Sequence, residues 1–406
     1  MIFNKKYELF FLFLLIVPVL LFRIAIESTN YCTPDSICYL EVSENILSGK
    51  GVMMNRVMDD NLENEISANK TGKFKKEYFA IWPLGYPACI VVVSYLTALS
   101  PLLASKLLNI VLLALDFYLL NLLFSGKFNF PMYYFCSFTM LEICSYTWSE
   151  NLFIPFFLIF LIAIKKIKNS NTNSLKSLII LVMALVGMFL SRYASIIFYL
   201  STFFSLVYFI RKKDVEKAKI LFYGLLISSV FAGLYLYNNF YQTGFITGMP
   251  RINTQEYTTI ELMQKFFLGV FNQLHIIKQF SISSSSELIF YLCSTIIQLS
   301  LMGFIVYSLS KVSTLNSFTE RSKGLFFLGI MYLAFLIFVT SFSTIDPFDY
   351  RTLLPFSFPV MLAVLTEIEE RLILNQKEKT IMLVKVFFIF SLIMNLPKRY
   401  LLELNS

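Results

Sequence analysis

The chain has 406 residues, of which 57% are hydrophobic and only 15% are charged, and its mean hydropathy is +0.68. A soluble domain averages roughly 45–50% apolar and 25% charged residues, so this composition excludes an ordinary soluble protein. The formal net charge of +8 does not indicate a nucleic-acid partner. Lys and Arg stand mostly in short segments between apolar runs, where they set the orientation of membrane helices.

Long apolar runs follow one another along the chain, each with about 15–24 residues, the length that crosses a bilayer core as a helix. The alternating pattern of barrel strands is absent from the sequence, so helices are favoured. We therefore predict an all-α, polytopic transmembrane helical bundle of about eleven spans within a single membrane domain, 1–406. The predicted spans are 8–26, 104–124, 130–146, 149–164, 176–190, 194–210, 218–238, 287–310, 324–342, 351–367 and 380–395.

The N-terminal segment 1–26 has the pattern of a signal sequence, with Lys5 and Lys6 before an apolar run. No small-x-small cleavage site follows this run, so we expect a retained signal-anchor helix. Lys5 and Lys6 place the N-terminus on the cytoplasmic side of an inner or plasma membrane.

The basic segments that begin at Lys165, Arg211 and Lys311 should also face the cytoplasm. All three orientations agree with a cytoplasmic N-terminus only if the apolar run 84–100 does not cross the membrane. Pro and Gly residues at the start of this run favour an interfacial or re-entrant helix. The predicted order is a long extracytoplasmic loop with short interfacial helices at 27–103, core spans in 104–238, a second outer loop at 239–286 and C-terminal spans in 287–395.

Asp35 is the first residue of chemical interest on the predicted outer face, directly after the first span. A carboxylate close to the membrane surface can act as a general base for a hydroxyl nucleophile. Asp is also a favoured helix N-cap, and the spacing from Tyr39 to Leu47 predicts a short amphipathic helix that ends at Gly49. The sequence leaves both roles open for Asp35.

Aromatic and acidic residues recur at later positions of the predicted outer face. Trp82 and Tyr86 suit a water–lipid boundary, either as anchors alone or as part of a site. Glu150 stands at the mouth between two spans, where it can bind a metal, a sugar hydroxyl or water. Asp116 and Glu142 lie deeper, where ionisable groups usually face a cavity or a partner. A structural salt bridge, with Lys106 or Arg192, is the competing interpretation of these acidic residues.

The last predicted outer turn ends at Arg351, which can hold a phosphate bidentately or pair with Asp346 or Asp349. The only histidine, His275, lies in the second outer loop and is either a ligand or a structural residue. Cys32 and Cys38 flank Asp35 and could form a disulfide. No zinc-type cysteine spacing occurs. A divalent cation is still an open alternative, with Asp35, Glu150 and His275 as its candidate ligands.

Several short motifs resemble, in order, those of the GT-C membrane glycosyltransferases, the polyprenyl-phosphate-sugar enzymes related to protein O-mannosyltransferases and lipid A aminoarabinose transferases. Asp35-Ser36 with Tyr39, Asn45 and Gly49-x-Gly51 resembles the first outer loop of that family. Trp82-Pro83-Leu84-Gly85-Tyr86-Pro87 is similar to its Pro-Pro-Gly-Tyr-Pro stretch, with Leu84 in place of a proline. Ala104-Ser105-Lys106-Leu107-Leu108-Asn109 resembles its Ala-x-Arg-Leu-Leu-Asn, with Lys106 for Arg. Ser149-Glu150-Asn151-Leu152-Phe153, Arg192-Tyr193 and Asp349-Tyr350-Arg351 match further family motifs.

The resemblance implies a GT-C-like fold and transfer of a sugar, with inversion, from a polyprenyl-phosphate donor to an acceptor hydroxyl on the extracytoplasmic face. The acceptor would be a lipid, a glycan or a protein, and the expected partners are these substrates and membrane lipids, with no nucleic acid. Asp35 would be the base, and Glu150 a second acidic group that positions the acceptor or a metal. Substrate binding would fall to Tyr39, Asn45, Trp82, Tyr86, Lys106, Arg192, Tyr193, Tyr350 and Arg351, with the three cations on the lipid phosphate.

Other classes of protein fit parts of the same pattern. A transporter or lipid-glycan flippase predicts an internal repeat and charges along a central path, and the sequence shows no clear repeat. An O-antigen-type polymerase would use arginines in large outer loops, whereas this chain has an acidic residue directly after its first span. A catalytically inactive scaffold would have the same composition. The outer turn lacks Asp-x-Asp, a departure that leaves the metal requirement open.

Overall fold

The computed structural model describes residues 5–27, 31–57, 74–169, 174–248, 258–278, 285–310, 318–340 and 348–396. Helices dominate these residues, in agreement with the class predicted from the apolar runs. In chain order they are α1 Lys5–Ile26, α2 Pro34–Leu47, α3 Gly85–Thr97, α4 Pro101–Phe124, α5 Phe130–Tyr133, α6 Phe138–Ser145, α7 Glu150–Asn169, α8 Ser174–Ser191, α9 Ile197–Arg211, α10 Val215–Thr243, α11 Thr259–Leu274, α12 Ser285–Ser310, α13 Glu320–Thr340, α14 Leu354–Leu374 and α15 Glu378–Met394. Short 3₁₀ helices occur at Tyr134–Cys136 and Tyr193–Ile196.

Six helices in the described part of the chain are long and apolar enough to cross a membrane: Tyr7–Ile26, Pro101–Phe124, Tyr193–Arg211, Val215–Thr243, Leu288–Leu309 and Glu320–Thr340. A seventh is added if α6 and α7, which are bent by 115° at their junction, form one broken span. The chain is therefore a multi-pass helical membrane protein. Within the described residues, helices of this length and composition do not reach the predicted count of about eleven spans.

The shortfall has identifiable causes in the apolar runs. The run predicted as one span at 130–146 is divided, because Ser137 has extended backbone between the 3₁₀ helix and α6. The helices α8 and α15 have only 18 and 17 residues. Hydrophobic periodicity does not reveal a break inside a run in which every turn is apolar.

The helix α3 is also short, with 13 residues at Gly85–Thr97. At 1.5 Å per residue it is about 20 Å long, against about 30 Å for a bilayer core. Its exposed side chains include Val92, Tyr95 and Leu96, which share one face at helical spacing. This length and this apolar face suit the interfacial or re-entrant helix predicted for 84–100.

A two-stranded antiparallel sheet lies within the predicted first outer loop and was not part of the predicted fold. β1 (Met53–Val57) pairs with β2 (Phe74–Tyr78), in a register that runs from Met53 opposite Tyr78 to Val57 opposite Phe74. The strands have five residues each, and β2 contains two lysines and a glutamate. Strands this short and this polar lack the alternation by which a strand is recognised in a sequence.

The described residues form two compact units. The first unit takes its residues from Met1–Tyr31, Leu113–Ser145 and Arg251–Ser406, and the second from Cys32–Leu112 and Tyr146–Pro250. In the second unit α2 packs against α3 and β1, around a buried apolar cluster that includes Tyr39, Val42, Phe79, Tyr86 and Ile90. This cluster fixes the position of the first turn of α2.

Two carboxylates of the first unit, the buried Glu369 and the half-buried Glu8, have several partners each. Glu369 accepts backbone N–H bonds from Asn129 and Phe130, at 2.7 to 2.9 Å, where α5 begins. Glu8 accepts from the side chains of Asn129 and Tyr133 and pairs with Lys385. Buried charges require such partners, so these residues serve the packing of the helices.

Candidate functional site

The first turn of α2 carries Asp35, but its N-cap is Thr33. The Thr33 hydroxyl accepts from the backbone N–H of Ser36 at 3.4 Å, and Pro34 occupies the first helical position. The predicted alternative in which Asp35 caps the helix is therefore wrong, because the chain supplies a cap two residues earlier. The half-buried Asp35 lies inside the first turn, where the helix dipole favours a carboxylate.

Two hydrogen bonds join α2 to the turn formed by residues 146–149. The indole Nε1 of Trp148 donates to the Thr33 hydroxyl at 2.8 Å, and the Tyr39 hydroxyl donates to Ser149 Oγ at 3.2 Å. Asp35 and Tyr39 are four residues apart, so they lie on the same face of the helix. The face of α2 that carries Asp35 is therefore turned towards the residues that directly precede Glu150.

The beginning of α4 is bound to the same turn. Asn109 accepts from the Tyr86 hydroxyl at 2.7 Å, and its own Nδ2 donates to the carbonyl of Tyr146 at 2.7 Å. The hydroxyls of Ser105 and Thr147 are 2.8 Å apart. Of the motifs that carry the family resemblance, the one at 82–87 thus contacts the one at 104–109, which is bound to residues 146–149.

Lys106 lies beside this turn, and only 5% of its surface is exposed. The pKa of the Cys32 thiol reports its surroundings: burial raises this pKa, against the lowering effects of the Lys106 ammonium and of a hydrogen bond with Thr147. The ammonium is therefore close to Cys32, three residues before Asp35. A buried ammonium in a polar surrounding of this kind is suited to an anionic ligand.

Glu150 is the first residue of α7 and is buried, with 1% of its surface exposed. Its Oε1 forms an ion pair with Nη1 of Arg192, an extended residue between α8 and the following 3₁₀ helix. The predicted alternative of a salt bridge is confirmed here, with Arg192 as the partner. For Glu142 the partner is Arg23, in the first unit, and not Lys106 or Arg192.

Several residues that the resemblance places at the substrate have clear packing roles. The Tyr193 hydroxyl donates to the carbonyl of Ala80 at 2.9 Å. Trp82 packs edge-on against Tyr39, with ring centroids 5.8 Å apart. Asn45 donates to the carbonyl of Met53 at 2.9 Å and thereby holds the turn between α2 and β1. These side chains fix the shape of the second unit around Asp35, and a contact with substrate stays a prediction for each.

Tyr350, Arg351 and His275 belong to the first unit. Backbone N–H groups of Arg351 and Thr352 donate to Asp349 Oδ1 at 2.9 and 2.8 Å, so Asp349 shapes the turn before α14. Asp346, the other predicted partner of Arg351, lies outside the described residues. The structure therefore assigns these three residues to a different unit from Asp35 and Glu150.

His275 follows the last residue of α11 and is almost fully buried. Its Nδ1 accepts from the backbone N–H of Lys278 at 3.3 Å, and its Nε2 is 3.2 Å from the Thr295 hydroxyl. Burial lowers the pKa of His275, against a raising effect of the Lys278 bond. These contacts favour the structural alternative for this histidine.

Two further sequence predictions concern thiols and metals. Cys32 and Cys38 are both free thiols, so the disulfide that the sequence allowed between them is not formed. Among the residues that the structure describes, no group of three or more His, Cys, Asp or Glu side chains is arranged to hold a metal ion.

Comparisons with known protein families, with curated proteins and with solved structures found no match for this chain. The chemistry of the site therefore has to be argued from its own residues. Asp35, Lys106, Glu150 and Arg192 were predictable as candidates because charged residues stand out next to apolar runs. Thr33, which caps α2, and the contact between Ser105 and Thr147 were not predicted. The one available signal was a hydroxyl residue directly before Pro34.

Proposed function

We propose that the protein is an integral-membrane glycosyltransferase. It transfers a sugar from a polyprenyl-phosphate donor to an acceptor hydroxyl on the extracytoplasmic face. One observation carries the proposal: within the second unit, the helix start with Asp35, the buried Lys106 and the ion pair between Glu150 and Arg192 all adjoin the turn at 146–149. A potential base and two cations are thereby gathered around one turn.

In this proposal Asp35 removes the proton from the acceptor hydroxyl as its oxygen forms a bond to the anomeric carbon. The bond from that carbon to the phosphate oxygen breaks, and the electron pair leaves with the phosphate. Attack from the face opposite to the leaving group inverts the anomeric centre. A positioned carboxylate is suited to the proton transfer. Preorganised cations are suited to the charge that develops on the leaving phosphate.

Lys106 and Arg192 are the proposed phosphate ligands. Lys106 presents a compact ammonium, while the planar guanidinium of Arg192 is suited to two oxygens of one phosphate. The ion pair with Glu150 restricts the rotamers of Arg192, so the guanidinium is oriented before the donor binds. A lipid-linked donor can reach such a site sideways from the bilayer, which suits an enzyme made mostly of membrane helices.

The test is turnover by the purified protein with a panel of polyprenyl-phosphate sugars, scored as release of polyprenyl phosphate. Asp35→Asn should lower release by about 10²–10⁴-fold, the contribution typical of a general base. Glu44→Gln is the matched control, because Glu44 is an exposed carboxylate of the same helix. At nine residues from Asp35 it lies on the opposite face.

Equal release by wild type and Asp35→Asn would remove Asp35 from the chemistry and keep the enzyme. The absence of release with every donor, in the presence of crude acceptor membranes and a divalent metal, would contradict the enzymatic proposal. The orientation has its own test. A reporter placed after Lys213 should be inaccessible from outside the cell, because the basic segment at 211–213 is proposed to be cytoplasmic.

A further inference from the structure

The helix α11 lies in the segment predicted only as a second outer loop. It begins at the N-cap Thr258 with a capping box, in which Thr258 and Glu261 bond to each other's backbone N–H groups. It runs for 16 residues to Leu274. Its side chains form three strips along the helix, and each strip has a different surrounding.

The first strip is packed against the rest of the first unit. The ring of Phe266 contacts that of Phe348, with centroids 5.2 Å apart. Gly269 lies so close to the Phe348 carbonyl that a Cβ there would collide with it. Gln273 is buried and accepts from the Ser357 hydroxyl at 2.7 Å. This strip fixes the rotation of α11 about its own axis.

The second strip is apolar and exposed. It consists of Ile260, Met263, Phe267, Phe271 and Leu274, of whose surfaces 69%, 57%, 67%, 48% and 39% are exposed. Their spacing of three and four residues places them in one row along the helix. Exposed apolar rows of this kind mark an interaction surface and not a face in water.

The third strip is mostly polar and consists of Glu261, Lys265 and Asn272, with one apolar residue, Leu268, in the same row. At 3.6 residues per turn these positions lie about 80–140° around the helix from Ile260. A helix with an apolar row, a polar row beside it and one docked side has the pattern of a helix that lies in a membrane interface.

The end of α11 is fixed to a membrane-crossing helix. Gln298 of α12 donates to the carbonyl of Leu274 at 2.8 Å and accepts from the backbone N–H of Ile276 at 2.8 Å. The span Leu288–Leu309 also exposes Met302, one turn after Gln298 on the same face of the helix, as expected for a side chain that faces lipid. The apolar row of α11 therefore ends beside an exposed apolar side chain of a helix that is long enough to cross the membrane.

We propose that the bilayer covers the apolar row of α11, while its polar strip faces water. A second copy of the chain is the less favoured occupant on grounds of area. The row is about 24 Å long and about 10 Å wide, or about 240 Å². A stable protein interface buries about 800 Å² on each partner. The inference is independent of the proposed glycosyl transfer.

The test uses tryptophan as a depth probe in phosphatidylcholine vesicles. Phe267→Trp places the probe on the apolar row, and Lys265→Trp is the matched control on the polar strip two residues away. Emission of the wild type, from Trp82 and Trp148, is subtracted. Brominated acyl chains should quench most of the added emission of Phe267→Trp and little of that of Lys265→Trp, and aqueous acrylamide should give the opposite order.

Acrylamide quenching of Phe267→Trp in vesicles would overturn the proposal in favour of a solvated face. Protection from both quenchers would overturn it in favour of protein cover, such as a second copy. A label on the wild type guards against misfolding of the variants: a photoactivated diazirine confined to the acyl region should modify Met263 and Phe267 and spare Asn272. If no label were found on the apolar row, this result would also contradict the proposal.

Discussion

Two Arg–Glu pairs, a buried one in the first unit and a partly buried one in the second, have the same chemistry but different surroundings. Arg23 pairs with Glu142 in the first unit, and Arg192 pairs with Glu150 in the second. The Arg23 guanidinium also donates to Ser145 Oγ at 3.2 Å and to the carbonyl of Asn395 at 2.8 Å. It further lies over the ring of Tyr31, at 5.1 Å from the centroid.

The partners of the two arginines indicate different roles. Those of Arg23 belong to α6 and to the end of α15, so this guanidinium joins three helices of the first unit. The acidic partner of Arg192 directly follows Ser149, which accepts from Tyr39 of the helix that carries Asp35. The same kind of ion pair can therefore stabilise a fold or, as proposed for Arg192, orient a phosphate ligand, and the residues around each pair suggest which role it has.

The largest expected effect is on the first pair. Arg23→Met removes the cation and leaves Glu142 buried, which should lower the free energy of unfolding by about 3–5 kcal/mol. The double variant Arg23→Met/Glu142→Leu should recover most of this loss, because an apolar pair of similar volume no longer contains an unpaired charge. Denaturant unfolding in nanodiscs measures both. A loss below about 1 kcal/mol for the single variant would place this pair among weak, solvated ones.

The second pair should show its effect in turnover and not in stability. Arg192→Lys keeps a positive charge for Glu150, so the free energy of unfolding should fall by only about 1 kcal/mol. It removes the planar fork proposed to hold the donor phosphate, so release of polyprenyl phosphate should fall by about 10²-fold. Arg371→Lys, in an ion pair with Glu367 in the first unit, is the matched control. Equal turnover by both variants and wild type would make the Arg192 pair structural.

Of the two ion pairs, only the one between Glu150 and Arg192 was among the alternatives predicted from the sequence. The predicted alternatives for Glu150 included Arg192, since both residues flank apolar runs on the predicted outer face. Arg23 is not among the predicted partners of Glu142, because a cation at the end of a first span is indistinguishable in the sequence from an ordinary flanking charge. Its partners Ser145 and Asn395 come from distant parts of the chain, and no local pattern brings them together.

The fold divides in the same way between local and distant causes. Long apolar runs made a helical membrane protein predictable, and the short α3 was expected from the Pro and Gly residues at 83–87. The break at Ser137 was not predicted, because the sequence is apolar on both sides of it. The row on α11 was present in the sequence, together with the capping box at Thr258 and Glu261. This row is not predicted from apolar runs, because the loop has no run long enough to span the membrane.

The smallest expected effect concerns the packing of α3 against α8 in the second unit, which contains the Arg192–Glu150 pair. Gly85, in the stretch that resembles the family motif, lies against α8, and a Cβ there would be 2.5 Å from the carbonyl oxygen of Leu190. Gly85→Ala should therefore push α3 away from α8 and lower the free energy of unfolding by about 1–3 kcal/mol.

Gly233→Ala is the matched control for this last change. Gly233 belongs to the same unit, lies inside α10 and has nothing within 4 Å of an added Cβ. There the added methyl group should raise the free energy of unfolding by about 0.4–1 kcal/mol, because alanine has less freedom to lose on folding. Opposite signs for the two substitutions, measured under the same unfolding conditions, would show that close backbone approach holds the residues around Asp35. A neutral Gly85→Ala would mean that α3 can move without disturbing them, and the turn at 146–149 alone would then position Asp35, the proposed base.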